Sequence, residues 1–388
     1  MSFVPGLLVV LGALASRQSE RERVPAVEAR RLPEGELQPQ IAVGADGLLH
    51  MLTYRGDPAA GELVLRRFRA QEAWPDPILV GAGAVARGTG GQIALGREGR
   101  EHVVWAAAAA SGGRGEPSDV PIRTARTSAD GRGFEAALEV ASAHSGADSG
   151  PAIAADAKGH VWVAWHAPES GAADERRVWI VRSSDGGGTF EAEHLVDPLA
   201  PAACGCCRVA LASSGERVYL LYRSARARDQ RGMMLAVSWD GGARFQLREL
   251  DDWQTERCPL SSASLLVTPD GAIAAWERAG SISRAWLAGI QTVRESRVTR
   301  TVAGSDGWGP RGTRAELQHP SLALDAGGAL LTASLADVHF GSEAKLDWHL
   351  EDRDGKFLGM APRPIQPVPD WDLPAVFARP DGSFVIVY

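Results

Sequence analysis

Lysine is nearly missing from this chain of 388 residues: of its 41 basic side chains only Lys158, Lys345 and Lys356 are lysine. That bias reflects codon usage rather than a guanidinium-specific surface. Basic residues are also outnumbered by 48 acidic ones, for a formal net charge of −7, so a polyanion-binding stripe is not expected and nucleic acid is excluded as a partner. Aromatic residues make up only 6%, yet 45% of the chain is hydrophobic and the 44 glycines follow no Gly-x-y period, which excludes both disorder and collagen. Long apolar runs are absent as well. After Phe3 to Ala15 nothing approaches the ~18 uninterrupted apolar residues of a membrane helix, and helical spacing is almost absent.

The run from Phe3 to Ala15 ends in Ala13-Leu14-Ala15 before Ser16, a small-x-small pattern that predicts a signal peptide over residues 1–15. The expectation is a secreted or periplasmic protein with no transmembrane segment after cleavage. No cysteine follows the run, so no lipid anchor is indicated. Cysteine is scarce and clustered: Cys204, Cys206 and Cys207 in one Cys-Gly-Cys-Cys run, and Cys258 before a proline. In an oxidising compartment this favours a disulfide from Cys204 or Cys206 to Cys258, because bridging the neighbours Cys206 and Cys207 is strained. A soft-metal site for Cu or Zn is the alternative, although the paired Cys-x-x-Cys arrangement of zinc ribbons is missing. No other cofactor is expected. The nine histidines are scattered, and no glycine-rich loop starts a helix.

What is present is a repeat. Seven segments share a small or proline residue, an apolar position two later and a glycine eight later: Pro39 to Gly47, Gly91 to Gly99, Pro151 to Gly159, Cys207 to Gly215, Ala263 to Gly271, Pro320 to Gly328 and Pro374 to Gly382. Their starts are 52, 60, 56, 56, 57 and 54 residues apart. A second apolar run follows each glycine, so each unit reads as strand, tight turn, strand. Several strands per unit of about 50 residues is the signature of a β-propeller. The expected fold is therefore all-β: one propeller over residues 16–388, built of four-stranded antiparallel blades. Seven blades fit the repeat, and six is the alternative. The strand from Ala26 to Leu32 is expected to close the last blade.

Two units carry a further motif, Ser-x-Asp-x-Gly-x-x-aromatic: Ser183, Asp185, Gly187 and Phe190, then Ser238, Asp240, Gly242 and Phe245. A version one residue short runs from Ser128 to Phe134. The aspartate can accept turn N–H groups, the glycine takes a left-handed backbone, and the aromatic fills the gap between sheets. With the repeat, these Asp-boxes make the chain resemble the sialidase-like (neuraminidase superfamily) propellers with BNR repeats. The order Cys-x-Cys-Cys, Tyr222-Arg223, Arg228-Asp229, the Ser238 motif and Cys258-Pro259 resembles an exported bacterial type within them. The resemblance implies that Asp185 and Asp240 are structural, not catalytic.

Loops before the first and after the second strand of each blade meet at one mouth of a propeller. That places Arg55, Asp57, His166, Arg223, Asp229, Glu277 and Asp337 as candidates there. Asp57 and Glu277 are the candidate catalytic pair, since glycosidases use two carboxylates, and Arg55, His166, Arg223, Asp229 and Asp337 are candidate substrate contacts. The resemblance further implies an arginine in an Arg-Ile-Pro stretch before the first inner strand, but Leu37-Gln38-Pro39 stands there. The expected function is a glycan-directed propeller, either a diverged glycoside hydrolase or a carbohydrate-binding module, with poor or no turnover of sialosides. The alternatives are a non-catalytic scaffold partnered by a cell-envelope component, and a metal-binding propeller held by the cysteines.

Overall fold

Val161-Trp162-Val163-Ala164-Trp165 is apolar at every position, as a strand covered on both faces must be. Val161, Val163 and Trp165 pack into one hydrophobic cluster, while Trp162 and Ala164 point into the next. The period of two thus feeds two separate cores. The same division holds at Tyr219 and Leu221 against Leu220 and Tyr222, and at Leu49 and Met51 against Leu52 and Tyr54.

The computed structural model describes residues 24–56, 61–82, 90–107, 121–141, 143–145, 149–169, 175–226, 229–255, 259–287, 289–300, 316–338, 342–362, 366–369 and 372–388. The predicted signal segment, Asp57 and Cys258 lie outside these. A first strand β1 (Val27–Arg30) precedes six sheets. They are β2 to β5 (Glu36–Val43, Leu49–Arg55, Glu62–Phe68, Ile78–Ala82) and β6 to β9 (Gln92–Leu95, Glu101–Ala106, Ile122–Arg126, Leu138–Glu139). Next come β10 to β13 (Ala152–Ala155, Val161–Pro168, Arg176–Ser183, His194–Leu195) and β14 to β17 (Ala210–Ser214, Arg217–Arg223, Met233–Ser238, Gln246–Glu249). Then follow β18 to β21 (Ala263–Thr268, Gly271–Arg278, Ser281–Trp286, Arg297–Arg300) and β22 to β26 (Leu317–Leu324, Leu330–Ala336, Ala344–Glu351, Phe357–Met360, Pro367–Val368). The seventh sheet is β27 (Ala375–Ala378), β28 (Phe384–Val387) and β1.

Consecutive inner strands β2, β6, β10, β14, β18, β22 and β27 touch, and β27 touches β2, so the sheets form a closed ring of seven blades. The protein is an all-β propeller, and its first six blades are antiparallel with four strands in the main path. The last blade has three strands, and β1 runs parallel to β28. The reason is directional: β1 must lead into β2 as every outer strand leads into the next inner one, yet it occupies the place of a third strand. Seven buried clusters fill the seven gaps between blades, and the last, with Leu49, Met51 and Phe68 against Phe377, Val385 and Val387, closes the ring. No helix among the described residues is long and apolar enough to cross a membrane.

Call the end at which inner strands begin the upper face. The turns at Ser183 and Ser238 lie at the lower face, beside the first hairpin of their own blades: Gly186 N–H donates to Gly159 O (2.8 Å) and Gly241 N–H to Glu216 O (3.0 Å). In each turn the serine hydroxyl donates to the aspartate and accepts the amide of Gly187 or Gly242. Asp185 also accepts amides of Gly188 and Thr189, and those bonds hold its carboxyl well below the usual range. Phe190 and Phe245 pack against the clusters between blades. Gly242 has φ +92, and a Cβ there would stand 3.0 Å from Trp162 Nε1, which itself donates to Gly241 O at 2.8 Å. A glycine is required on both counts.

Val163 is wholly buried, and Val163→Asp would leave an unpaired charge in that core. The expected cost exceeds ~4 kcal/mol, enough to prevent folding. A thermal melt of the variant that matches the parent would contradict the assignment.

Candidate functional site

Residues within or just before the inner strands converge on the axis toward the upper face. There they line a cavity of about 70 Å³ with Gln40, Gln92, Arg208, Ser262, Ser264, His319 and Ser321. Two of the strands reach it through irregular backbone. Register shifts occur in β2 between Leu37 and Gln40 and in β22 between Gln318 and Ser321. At their centres Gln38 (φ +56) and His319 (φ +53) are left-handed, each just before a proline. A left-handed non-glycine residue costs of order 1 kcal/mol, and bulges re-aim side chains. The strain sits where side chains must turn toward the axis. His319 Nδ1 lies 3.0 Å from Ser262 Oγ, and burial, with the Arg208 charge, lowers its pKa to about 4. It is a neutral imidazole at pH 7. Burial lowers Arg208 to about 10, so it keeps its charge. Asp372, pushed up to about 6 by burial, accepts the amides of Gln38 (2.6 Å) and Leu373 (2.8 Å) and ties the seventh blade to the first.

A second polar group lies beside the cavity, one residue along each chain from Arg208 and Ser262. Glu277, near the end of β19, is 3% exposed and its Oε2 has no hydrogen-bond partner among the described residues. Burial, with Glu316 adding to it, raises its pKa to about 7 against the pull of Ser261 and Arg223. Arg223, at the end of β15, donates to Glu277 O (2.7 Å) and Arg231 O (2.8 Å) and lies over the Trp253 ring, 4.8 Å from its centroid. The carbonyl of Arg223 accepts the Cys204 amide at 2.8 Å. Cys204 is drawn below the usual thiol range, first by the Cys207 thiol and then by the Cys206 amide, Arg231 and Arg223, while burial pushes Cys207 up. The Ser149 hydroxyl donates to Cys207 O (2.9 Å) and stands 2.6 Å from His166 Nε2. A hydroxyl has one proton, so the imidazole supplies the other bond from Nε2–H. That leaves His166 Nδ1 a buried acceptor without a partner among the described residues, and burial holds the ring neutral with a pKa of about 3.

Of the residues expected at the mouth, His166, Arg223 and Glu277 are thus brought into one network, together with Cys204 and Cys207. Arg55 is not part of it: half-exposed, it pairs with Glu62 at 2.7 Å. Asp337 pairs with Lys345 at 2.7 Å, and Asp229 uses its carbonyl to accept the Thr255 amide. Asp57 lies outside the described residues, so its distance to Glu277 is not defined. Cys204 and Cys207 carry free thiols, so the Cys204 to Cys258 bridge is not made. Only Cys206 of the run is left to reach Cys258, itself outside the described residues. Arg208, His319, Gln92, Ser149 and Ser261 precede or open inner strands, so a rule that selects residues after the second strands does not reach them. The signal was in the repeat, in the polar residues flanking its seven starting positions.

No family model matches the chain, and no curated protein matches it either. Solved structures do. An α-L-arabinanase of Penicillium chrysogenum, complexed with arabinobiose, matches with a TM-score of 0.50 at 12% identity, covering 86% of this chain and 98% of that one. An α-L-arabinofuranosidase of Fusarium graminearum matches at 0.49 and 11%, covering 77% and 88%. A sialidase of Trypanosoma rangeli matches at 0.48 and 12%, covering 79% of this chain and 53% of its own. At such identities the likeness is one of fold.

The raised pKa of Glu277 has a thermodynamic consequence. Native Glu277 keeps a proton to about pH 7, which the unfolded chain gives up near pH 4.5. Its own contribution to stability therefore falls as pH rises across that window and is level above it, a loss of ~3 kcal/mol. His166 and His319 act in the opposite sense and cost stability as pH drops below 6.5 toward about 3 and 4. Asp372, raised to about 6, acts in the same sense as Glu277 below pH 6, so the share of Glu277 is read as a difference: the stability of the parent relative to Glu277→Gln should drop between about pH 5 and 7, with the acid limb present in both. Urea melts across pH in which parent and variant run parallel would refute the buried, protonated carboxyl.

Proposed function

We propose that the chain is an exported, glycan-directed propeller of the sialidase-like, Asp-box type that binds carbohydrate at the upper face. The lining of the axial cavity carries this reading: side-chain amides, hydroxyls, a neutral imidazole and one guanidinium, the mixture that sugar hydroxyl and carboxyl groups engage. About 70 Å³ takes the polar edge of a sugar, with the ring seated over the mouth. The Ser183 and Ser238 turns, read as Asp-boxes, lie at the other face and leave the mouth unobstructed. The fold shared with an arabinanase complexed with arabinobiose supports the same ligand class. A scaffold reading calls for a featureless or apolar mouth, which this lining does not favour.

Hydrolysis would ask for a second carboxylate ~5 to 10 Å from Glu277, and Asp57 is the residue proposed for it. Leu37 in place of the arginine implied by the resemblance leaves sialosides a poor substrate. Screening on a glycan array, followed by calorimetric titration of the best ligand, is the direct test. Arg208→Ala should weaken that ligand ~10-fold or more and Gln92→Ala less, since bonds to a charged donor contribute more. Binding that is unchanged in both variants, or absent for every glycan, would exclude the mouth as a carbohydrate site. Rapid sialoside turnover abolished by Asp57→Ala would instead establish a sialidase.

A further inference from the structure

We propose that Cys204 and Cys207 form a two-thiolate site for the soft monovalent cation Cu(I). The glycan reading gives these two groups no role, and the inference does not depend on it. Both are free thiols, 5% and 2% exposed. They stand three residues apart, one Cys-x-x-Cys unit, in a turn closed by the Cys207 amide on Cys204 O at 3.3 Å. That turn sets their sulfurs on one side: the Sγ atoms of Cys204, Cys206 and Cys207 all lie within 4.8 Å of one another. A metal bound at roughly 2.3 Å from each of two sulfurs spans up to ~4.6 Å, so the pair needs little movement to close on an ion.

The turn is also held in place. A Cβ at Gly205 would meet the Arg176 side chain at 2.7 Å, so the loop is pressed against that guanidinium, and Ala203 N–H donates to Arg176 O at 2.7 Å. Two thiolates and one Cu(I) leave a net charge of −1, and Arg223 lies within electrostatic range of both sulfurs to balance it. Zn(II) prefers four ligands, and among the described residues no histidine or carboxylate joins the sulfur group. Soft thiolates with few ligands select Cu(I). With both sulfurs buried, a small ion reaches them more readily than a protein disulfide does.

The full chain, loaded anaerobically and titrated with Cu(I) against a competing chelator, should hold one copper per chain. Cys204→Ser and Cys207→Ser should each abolish that stoichiometric binding while keeping the far-ultraviolet spectrum of the parent. X-ray absorption at the copper edge of the loaded parent gives an independent reading that needs no variant to fold, and a sulfur-only shell is expected. A shell of nitrogen or oxygen, copper retained by the double variant, or preferential uptake of Zn(II) would overturn the assignment. So would a Cys204 to Cys207 disulfide found by peptide mass spectrometry in the exported protein.

Discussion

Ring closure governs this molecule, because a blade buried on both faces can be stable only if every gap between blades is filled, including the one between the last and the first. The middle strands carry that requirement in their composition. In β11 no residue from Val161 to Ala167 is exposed, and alternate side chains serve different gaps. The seventh gap is closed in a different way, since its blade joins β27 and β28 to β1 from the other end of the chain. Pairing of β1 with β28 converts those ends into one sheet and places Phe377, Val385 and Val387 against the first blade. At about 25 cal/mol per Å² of apolar area, the gain in each gap is of the order that a whole domain has as net stability, so one open gap would threaten the ring.

This constraint explains which parts of the molecule the sequence declares. A fully covered strand must be apolar throughout, and a hairpin between two such strands must supply positive φ, so runs such as Val218 to Tyr222 and turns such as Asp185 to Gly187 stand out by residue type alone. The glycine eight residues into each unit marks the lower hairpins for the same reason. The mouth obeys no comparable rule. Arg208 and His319 are single polar residues next to strand starts, and only the convergence of blades about 110 residues apart in sequence places them together. The bulges that re-aim Gln38 and His319 are set by backbone strain, for which no residue type is a signature. Arg55 shows the converse error: its position after a second strand is correct for the mouth, but a neighbouring glutamate, Glu62, takes its charge.

The two faces differ in how they treat buried carboxyl groups. At the lower face carboxylates are neutralised by what surrounds them. Burial alone would raise Glu101, but hydrogen bonds from His50, Arg67 and Thr127 draw it down to about 2. Glu351, likewise opposed by burial, is held low by His349 and a bidentate contact from Arg284. At the upper face burial prevails over the carboxyl groups, with Glu277 and Asp372 raised, while buried histidines are kept neutral at both faces, His166 and His319 above and His102 below.

Backbone strain follows the same division. Among the described residues, five of the six left-handed non-glycine positions, Gln38, Leu260, Ala279, His319 and Asp337, lie at the upper face, and Glu98 sits in a lower hairpin. Strained backbone, an unpartnered acceptor at His166 Nδ1 and an unpartnered oxygen at Glu277 all cost free energy in the isolated chain. The lower face carries unpartnered buried groups too, among the described residues at Arg182 Nε, Trp239 Nε1, Thr268 Oγ1 and Arg379 Nε, but its ion pairs and glycine turns staple the blades there. What sets the upper face apart is kind rather than number: its unpartnered atoms include the acceptors His166 Nδ1 and Glu277 Oε2, whereas Arg182, Trp239 and Arg379 at the lower face offer donors.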